Sequence, residues 1–405
     1  MNTIPCRCCG SRTENILDLG IQPPSNAYIS TKACDLMHEE KFPLGMVGCK
    51  HCGMLQTSYD VSPNLLFNPK YQYFSSISNS WLDHVEKTVG LLETRFNPKF
   101  VIEIASNDGY MLDFWEKINI LAVGVEPTMA PREISLSKGH KVIGEFFSED
   151  VVQQIHADYG IPDLVICNNV FAHVPDIESF AKNIINLISD DGTIVIEAPY
   201  AENLVKEMQF DTIYHEHYSY LTITSVSNIF NKVGGMLYDF DFIQTHGGSI
   251  RYFVSKNIQE KSHGLLNQLK YESKNGISDI SYFYSLSEKL SLLKSEIIDL
   301  FNSFKKKDLL VAGYGAAAKG NTILNYVGLN NTNIKLIADN NPAKIGMLTP
   351  GSHIPIVGID ELKELRPDVV IIFPWNIQTE LVNSIRANFD YEPDMIVLVP
   401  EIKYL

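Results

Sequence analysis

The sequence predicts an α/β protein: two doubly wound domains preceded by a small cysteine-rich domain. Apolar runs of strand length alternate with helix-sized intervals over residues 100–199, and a second alternation of this kind covers residues 308–400. The first 70 residues hold two CxxC pairs among many turn residues. Alternating strands and helices are typical of a parallel sheet with helices on both faces. A chain of 405 residues has room for two or three such domains.

Composition and charge exclude several function classes. With 45% hydrophobic and 20% charged residues the chain is a folded globular protein, and its net charge of −15 argues against non-specific nucleic-acid binding. An anionic nucleotide can still bind where backbone amides and a few cations gather. The chain starts without a signal-like segment, and no apolar run reaches the length of about 18 residues that a membrane helix needs. We therefore expect a cytoplasmic protein with a small-molecule partner, and neither nucleic acid nor membrane as partner. We also expect a monomer.

Two CxxC pairs predict a metal site. Cys6 with Cys9 and Cys49 with Cys52 form these pairs, and glycine follows each second cysteine. Clustered CxxC pairs in a chain without a signal peptide indicate metal ligands rather than disulfides, and four thiolates form a closed tetrahedral site suited to structural Zn²⁺. Residues 1–70 offer little for a large core, so the metal would supply the missing stability. Cys8 is an alternative to Cys9, and a group of incidental buried thiols is the other interpretation.

The periodicity places most elements. A helix is predicted to start near Ser78, with Trp81, Val85, Val89 and Leu92 on one face. The strands of the first alternation are predicted at residues 100–105, 121–126, 163–170 and 193–199, followed by a helix over 224–233 and an antiparallel pair of strands. The strands of the second alternation are predicted within 308–320, 334–342, 368–375 and 395–400. The predicted units are 1–70, 71–257, connecting helices over 258–306, and 307–405.

The turn after the first strand of the central unit is a candidate cofactor site. In EIASNDGYML, Ala105 and Asn107 stand where a dinucleotide fingerprint has glycines, and only Gly109 remains. Glu126 ends the next strand, where a carboxylate can accept hydrogen bonds from both ribose hydroxyls. A pyrophosphate needs the missing glycines, whereas a cofactor with a carboxylate, an amine and a sulfonium does not. S-adenosylmethionine is therefore favoured over another ligand of such a domain. The candidate cofactor residues are Glu103, Ala105, Asn107, Gly109, Glu126 and Asn168.

A second cluster follows the fourth strand, in FDTIYHEHYSYLT. Loops at the carboxyl ends of parallel strands build the site, so Tyr214, His215, Glu216 and His217 should face the cofactor. The two histidines are too close in sequence for the HExxH zinc geometry. A neutral histidine suits the removal of a proton beside a ketone, which creates a carbon nucleophile for a sulfonium methyl group. The alternative, given equal weight, is a polar surface turn or histidines whose hydrogen bonds are only structural.

The ordered motifs resemble one family over essentially the whole chain. CRCCG, LDLGIQPPSNAY, CKHCG, YQYFSSISNSW, VIEIASNDGYML, NNVFAHVPD, FDTIYHEHYSYLT, HGGSIRYFV and GYGAAAKGNT resemble the sugar C-methyltransferases of deoxysugar biosynthesis. The resemblance implies a zinc-binding N-terminal domain, a central Rossmann-like class I methyltransferase domain and a smaller C-terminal Rossmann-like domain. It also implies S-adenosylmethionine-dependent methylation at C3 of a 4-keto-6-deoxysugar linked to dTDP or GDP.

The resemblance also implies roles for individual residues. His217 is similar to the family's base, which removes the C3 proton. Glu216 and Tyr214 would orient sugar hydroxyls or steady the enolate oxygen, and His173 would lie near the developing C4 oxygen. A tyrosine of YQYFSS would approach the sugar; Tyr73 is favoured over Tyr71.

The C-terminal domain carries a GYGAAAKG turn with Lys319, and Asp339 ends the following strand. We favour the interpretation that this domain contacts the substrate's nucleotide through these residues. The alternative is that the domain is a decayed repeat that contributes only packing. Three other functions compete with C-methylation. They are O- or N-methylation of a sugar, NAD(P)-dependent oxidation of a sugar nucleotide, and non-catalytic binding of zinc and nucleotide.

Overall fold

The computed structural model of the protein describes residues 4–32, 36–67, 74–77, 79–244 and 247–405. Within these ranges the strands form a four-stranded N-terminal sheet, a seven-stranded central sheet, a six-stranded C-terminal sheet and a two-stranded ribbon. The predicted α/β class is confirmed. None of the helices in the described ranges combines the length and apolar character needed to span a membrane.

The N-terminal part contains more regular structure than its turn-rich sequence predicts. Its elements are β1 (Glu14–Gln22), β2 (Ile29–Ser30), β3 (Phe42–Gly48), β4 (Leu55–Thr57) and α1 (Pro63–Leu66). β1, β3 and β4 form an antiparallel sheet in which β1 has two irregularities of register. Such bulges interrupt the alternation of apolar and polar residues by which a strand is predicted from sequence. Leu17, Leu44 and Met46 are buried in a core shared with C-terminal elements, so this part contributes to a common core instead of forming a large one of its own.

The central sheet has the strand order β11-β12-β9-β8-β5-β6-β7, in which β5 to β9 are parallel and β12 is antiparallel to both of its neighbours, β9 and β11. The strands are β5 (Phe100–Ile104), β6 (Leu121–Val125), β7 (Lys141–Ile143), β8 (Leu164–Asn168), β9 (Thr193–Pro199), β11 (Met236–Ile243) and β12 (Ser249–Ser255). β10 (Ser219–Tyr220) instead pairs with β4 and completes the N-terminal sheet. The order reverses between β5 and β8, which is where ligands bind in such sheets.

Helices cover both faces of this sheet. They are α2 (Asn79–Phe96), α3 (Leu112–Lys117), α4 (Met129–Ser137), α5 (Glu149–Asp158), α6 (Ile177–Leu187), α7 (Asn203–Lys206) and α8 (Ile223–Lys232). The predicted face of α2 is buried, from Trp81 to Leu92. The helices α9 (His263–Lys274) and α10 (Leu286–Lys306) follow, and the apolar face of α10 packs into the core shared by the N-terminal sheet and the C-terminal unit.

The C-terminal sheet has the order β16-β14-β13-β17-β18-β19, with only its last strand antiparallel. Its strands and those of the ribbon are β13 (Val311–Tyr314), β14 (Ile337–Ala338), β15 (Met347–Leu348), β16 (Ile356–Val357), β17 (Val369–Ile372), β18 (Asp394–Val397) and β19 (Lys403–Tyr404). The helices are α11 (Ala318–Val327), α12 (Ile359–Leu365) and α13 (Gln378–Asn388). β15 pairs with β2, so the N-terminal part is hydrogen-bonded to this unit.

Candidate active site and zinc site

Four cysteine sulfurs converge in the N-terminal part. The Sγ atoms of Cys6, Cys9, Cys49 and Cys52 all lie within 4.8 Å of one another. Cys8, the alternative ligand, is buried but does not belong to this group. Four thiolates at such mutual distances fit a tetrahedral Zn²⁺ with no open position, which is the arrangement of a structural site.

Two tight turns build the cysteine cluster and join it to the central domain. The backbone N–H of Gly10 donates to the Cys6 carbonyl, and that of Gly53 donates to the Cys49 carbonyl. Gly53 has a φ of 73°, and a Cβ there would lie 2.6 Å from the Ser278 carbonyl oxygen. Lys232 of α8 donates to the Cys8 carbonyl. The zinc turns are therefore tied to the methyl-transfer domain through α8.

One cavity of about 740 Å³ lies at the carboxyl ends of the central strands. The predicted residues that line it are Ala105, Asn107, Glu126, Asn168, His173, Tyr214, Glu216, His217 and Lys319. Glu103, Gly109 and Asp339 do not line it. The predicted Tyr71 and Tyr73 lie outside the described residues. Side chains from the N-terminal, central and C-terminal parts thus meet around one space.

The turn after β5 adopts a backbone that glycine favours, although its first two special positions are not glycine. Ala105, Asn107 and Gly109 have φ values of 60°, 49° and 76°. The Glu126 carboxylate holds this turn, because Oε2 accepts from the Asn107 N–H at 2.9 Å and Oε1 accepts from the Thr128 N–H at 2.7 Å. Burial raises the pKa of Glu126. The sequence had already placed this carboxylate at the end of β6.

This half of the cavity fits S-adenosylmethionine. The Asn168 Oδ1 is buried and has no hydrogen-bond partner among the described residues, so it can accept from a ligand amine. Glu126 lines the same part of the cavity. Phe146 and Phe147, just after β7, add aromatic surface to the same wall. These phenylalanines were not predicted, because β7 has only three residues and leaves no periodic pattern in the sequence.

Glu103 and Gly109 lie outside the lining of the cavity. Glu103 is fully buried within β5, and burial raises the pKa of its carboxyl group well above the usual range. A Cβ on Gly109 would lie 2.4 Å from both His140 Nδ1 and Ser135 Oγ. Glycine at 109 is thus required for close packing of the turn against α4 and its neighbourhood.

The orientation of His217 is fixed by two hydrogen bonds. Nδ1 lies 2.8 Å from the Thr212 carbonyl oxygen, and Nε2 lies 2.9 Å from the Tyr214 hydroxyl. Because a carbonyl oxygen only accepts, Nδ1 carries the proton and Nε2 carries the lone pair. The side chain is 8% exposed and lines the cavity. This tautomer is the one that a base acting through Nε2 needs.

His173 and Glu216 lie beside His217. The His173 ring lies perpendicular to that of His217, with 4.6 Å between ring centroids, and burial lowers the pKa of His173 to about 4. Glu216 Oε1 accepts from the Asn26 side-chain amide at 3.2 Å, and burial raises the pKa of Glu216 to about 7. His215 does not line the cavity; it packs against Phe42 instead.

Two lysines lie on the C-terminal side of the cavity. Lys319 and Lys344 line it, together with the turn that precedes α11. Lys344 Nζ donates to the Ala316 carbonyl at 2.8 Å, and Lys319 Nζ lies 4.7 Å from the centre of the Trp375 ring. Asp339 accepts from the Ala316 N–H at 2.7 Å. Asp339 therefore holds the glycine-rich turn rather than lining the cavity.

Three regions of the chain match known families. Residues 6–67 match a zinc binding domain, residues 74–235 a methyltransferase domain, and residues 244–400 a C-methyltransferase C-terminal domain. The chain is also 29% identical over 402 residues to the C-methyltransferase NovU of Streptomyces niveus, with 98% of this chain and 95% of that protein covered. The chain is an S-adenosylmethionine-dependent C-methyltransferase. The predictions of S-adenosylmethionine as cofactor and of a structural zinc site are therefore confirmed.

Solved structures similar to this C-methyltransferase include two that cover less than half of it. The PH0226 protein from Pyrococcus horikoshii OT3 is 13% identical, with a TM-score of 0.37 and coverage of 46% of this chain and 95% of that chain. The magnesium protoporphyrin IX methyltransferase ChlM from Synechocystis PCC 6803 is 12% identical, with a TM-score of 0.33 and coverage of 43% and 79%.

Proposed function

We propose that this C-methyltransferase methylates C3 of a 4-keto-6-deoxysugar linked to dTDP or GDP. The observation that carries the proposal is that one cavity is lined by a histidine of fixed tautomer, by the residues that follow the central strands and by two lysines. A sulfonium methyl group needs a carbon nucleophile here, and a carbon beside a ketone becomes one when it loses a proton. The cavity therefore needs a base, a donor for the ketone oxygen and an anion site.

In the proposal His217 is the base. Its Nε2 lone pair takes the C3 proton, and the Thr212 carbonyl accepts from Nδ1 throughout, which stabilises the imidazolium that forms. In the free protein the Tyr214 hydroxyl donates to Nε2. When the sugar binds, this hydroxyl must turn away from Nε2, and it then can donate to a substrate oxygen. The proton finally passes from His217 to solvent.

Charge develops on the C4 oxygen as the proton leaves. His173 can donate a hydrogen bond there as a neutral imidazole, since burial lowers its pKa to about 4 and keeps it uncharged at neutral pH. Preorganised donors at such an oxygen are worth about 3 kcal/mol each. Glu216 is proposed to orient a sugar hydroxyl or to steady the same oxygen. Tyr73 and Tyr71 remain predictions of sugar contact.

The cofactor is proposed to lie along the turn after β5, held by the turn amides, Glu126 and Asn168. When bound, it supplies an electrophilic methyl group to the enolate carbon. The cofactor contacts, His217 and the donor to the ketone oxygen together keep the reacting carbon, the base and the ketone oxygen aligned, and such alignment supplies a large part of the acceleration.

The proposed place of action is the cytoplasm. Closely grouped thiols that bind zinc require a reducing compartment, which supports this proposal.

The substrate's diphosphate is proposed to bind at the C-terminal side. Lys319 and Lys344 bring positive charge, and the N-terminus of the ten-residue helix α11 presents backbone N–H groups next to the same cavity. Asp339 acts indirectly by holding the turn at Ala316. The sugar would then extend from this cationic side towards His217.

The experiment that tests this function uses a small panel of nucleotide sugars. The protein is incubated with S-adenosylmethionine and with dTDP- and GDP-linked 4-keto-6-deoxysugars, and mass spectrometry detects the gain of one methyl group. NMR of the product assigns the carbon. Methyl transfer to a 4-hydroxy sugar would favour an O-methyltransferase, because that reaction needs no enolate. Absence of transfer to every ketosugar would contradict the proposal.

A further inference from the structure

A stretch of the N-terminal part lies between the cavity and the C-terminal domain. We call residues 23–28 the bridging segment. The Ser25 carbonyl accepts from the Asn321 side chain at 2.7 Å, and the Tyr28 hydroxyl donates to the Ala316 carbonyl at 2.5 Å. Ala316 belongs to the glycine-rich turn, and Asn321 belongs to α11. The bridging segment is therefore fastened on both sides of Asn26 to the elements proposed to bind the diphosphate.

Asn26, at the middle of the bridging segment, reaches the reacting end of the cavity. Its side chain lines the cavity and donates to Glu216 Oε1 at 3.2 Å. The other oxygen, Oε2, is buried and has no hydrogen-bond partner among the described residues. A carboxyl group held at one oxygen has one orientation, and its second oxygen is then available to the substrate.

We propose that Asn26 is a positioning residue for Glu216. Through Asn26, the position of the glycine-rich turn sets the position of the carboxyl group beside the base. The inference rests on the proposed function, because Glu216 must act on the sugar. A shift of the turn when the diphosphate binds moves Tyr28 and Ser25, and Asn26 moves with them. The nucleotide end of the substrate thus sets the alignment of a group at its sugar end.

Several titratable groups surround Glu216. The phenols of Tyr28, Tyr218 and Tyr220 interact with it electrostatically. The cavity also holds His173, His217, Lys319 and Lys344. Burial raises the pKa of Glu216 to about 7, while the side-chain amide and the backbone N–H of Asn26 act to lower it. Removal of the amide must therefore raise the pKa of Glu216 further.

The first test measures this pKa without substrate. Protein carrying ¹³C in its glutamate carboxyl groups is titrated by NMR, and Glu216→Gln assigns the signal. Asn26→Ala should raise the pKa of Glu216 by about 0.5 to 1 unit. Asn26→Asp keeps the shape but adds a like charge, and should raise it more. Asn15→Ala, a change at an exposed position of β1, is the control and should leave it unchanged.

The second test compares turnover with substrate binding. Asn26→Ala should lower kcat about tenfold and change KM less than about threefold, because the carboxyl group is misaligned. Tyr28→Phe removes the bond to the turn and should lower kcat in the same direction by a smaller factor. An unchanged pKa of Glu216 together with a raised KM would make Asn26 a substrate contact and overturn the inference. The NMR titration needs no substrate, so it judges the Asn26–Glu216 contact even if no ketosugar is methylated, a result that would refute only the proposed function.

Discussion

Replacement of His217 by asparagine removes the proposed basic atom but keeps the hydrogen bond that orients the side chain. The asparagine amide nitrogen takes the position of Nδ1 and can still donate to the Thr212 carbonyl, which His217 Nδ1 contacts at 2.8 Å. What the variant lacks is Nε2 and its lone pair. His217→Asn should therefore fold and bind S-adenosylmethionine, yet lose the atom that takes the C3 proton.

The expected loss follows from the chemistry of this atom. A positioned general base contributes about 10²- to 10⁴-fold, which corresponds to about 3–5 kcal/mol of activation free energy. The smaller side chain also loses ring contacts with Tyr214 and His173, whose centroids lie 4.1 and 4.6 Å away. These contacts should cost about 1–2 kcal/mol of unfolding free energy. Turnover should thus fall by far more than stability explains.

The assay is methyl transfer at saturating cofactor, followed by mass spectrometry. Cofactor affinity by calorimetry and the melting temperature serve as checks on folding. His215→Asn is the matched control, because His215 stands two positions earlier and does not line the cavity. The control should keep turnover within about threefold of the wild type. If His217→Asn retained turnover within tenfold of the wild type, His217 would not be the base.

Three further predictions concern the supports of the site. Glu272 accepts hydrogen bonds from the N–H groups of Ile223 and Thr224 at the start of α8. Glu272→Ala should therefore lower the free energy of unfolding, measured by urea denaturation, by about 3–5 kcal/mol. A loss of less than about 1 kcal/mol would contradict this prediction. Removal of zinc by a chelator should lower the melting temperature of the central domain as well as the N-terminal part, because α8 contacts the zinc turns; an unchanged melting curve would refute the coupling. Lys319→Gln should raise KM for the nucleotide sugar about 10- to 100-fold without weakening cofactor binding, and equal losses for both ligands would argue against a diphosphate site.

The fold could be predicted where local sequence decides structure. β5, β6, β8 and β9 are apolar runs of five to seven residues, and each was found close to its predicted place. β7, β16 and β19 have only two or three residues and leave no period to detect. The N-terminal sheet was missed for another reason. Its bulged strand buries its apolar side chains against α10, which begins 264 residues after the end of this strand, and no local pattern reveals such a contact.

The candidate site could be predicted where a motif carries it. Nine of the predicted residues line one cavity, because loops at the carboxyl ends of parallel strands converge. Asn26 and Lys344 were missed, since each comes from a different part of the chain and only the tertiary fold brings it to the cavity. Asp339 was predicted from its position after a strand, and its carboxylate contacts the turn instead.

Hydrogen exchange at C3 tests the central claim most directly. A 4-keto-6-deoxy nucleotide sugar is incubated with the protein in deuterated water without S-adenosylmethionine, and deuterium at C3 is followed by NMR. If His217 removes the C3 proton, the wild type incorporates deuterium and His217→Asn does not. Methyl transfer by a wild type that shows no exchange, or equal exchange by both proteins, would contradict the claim.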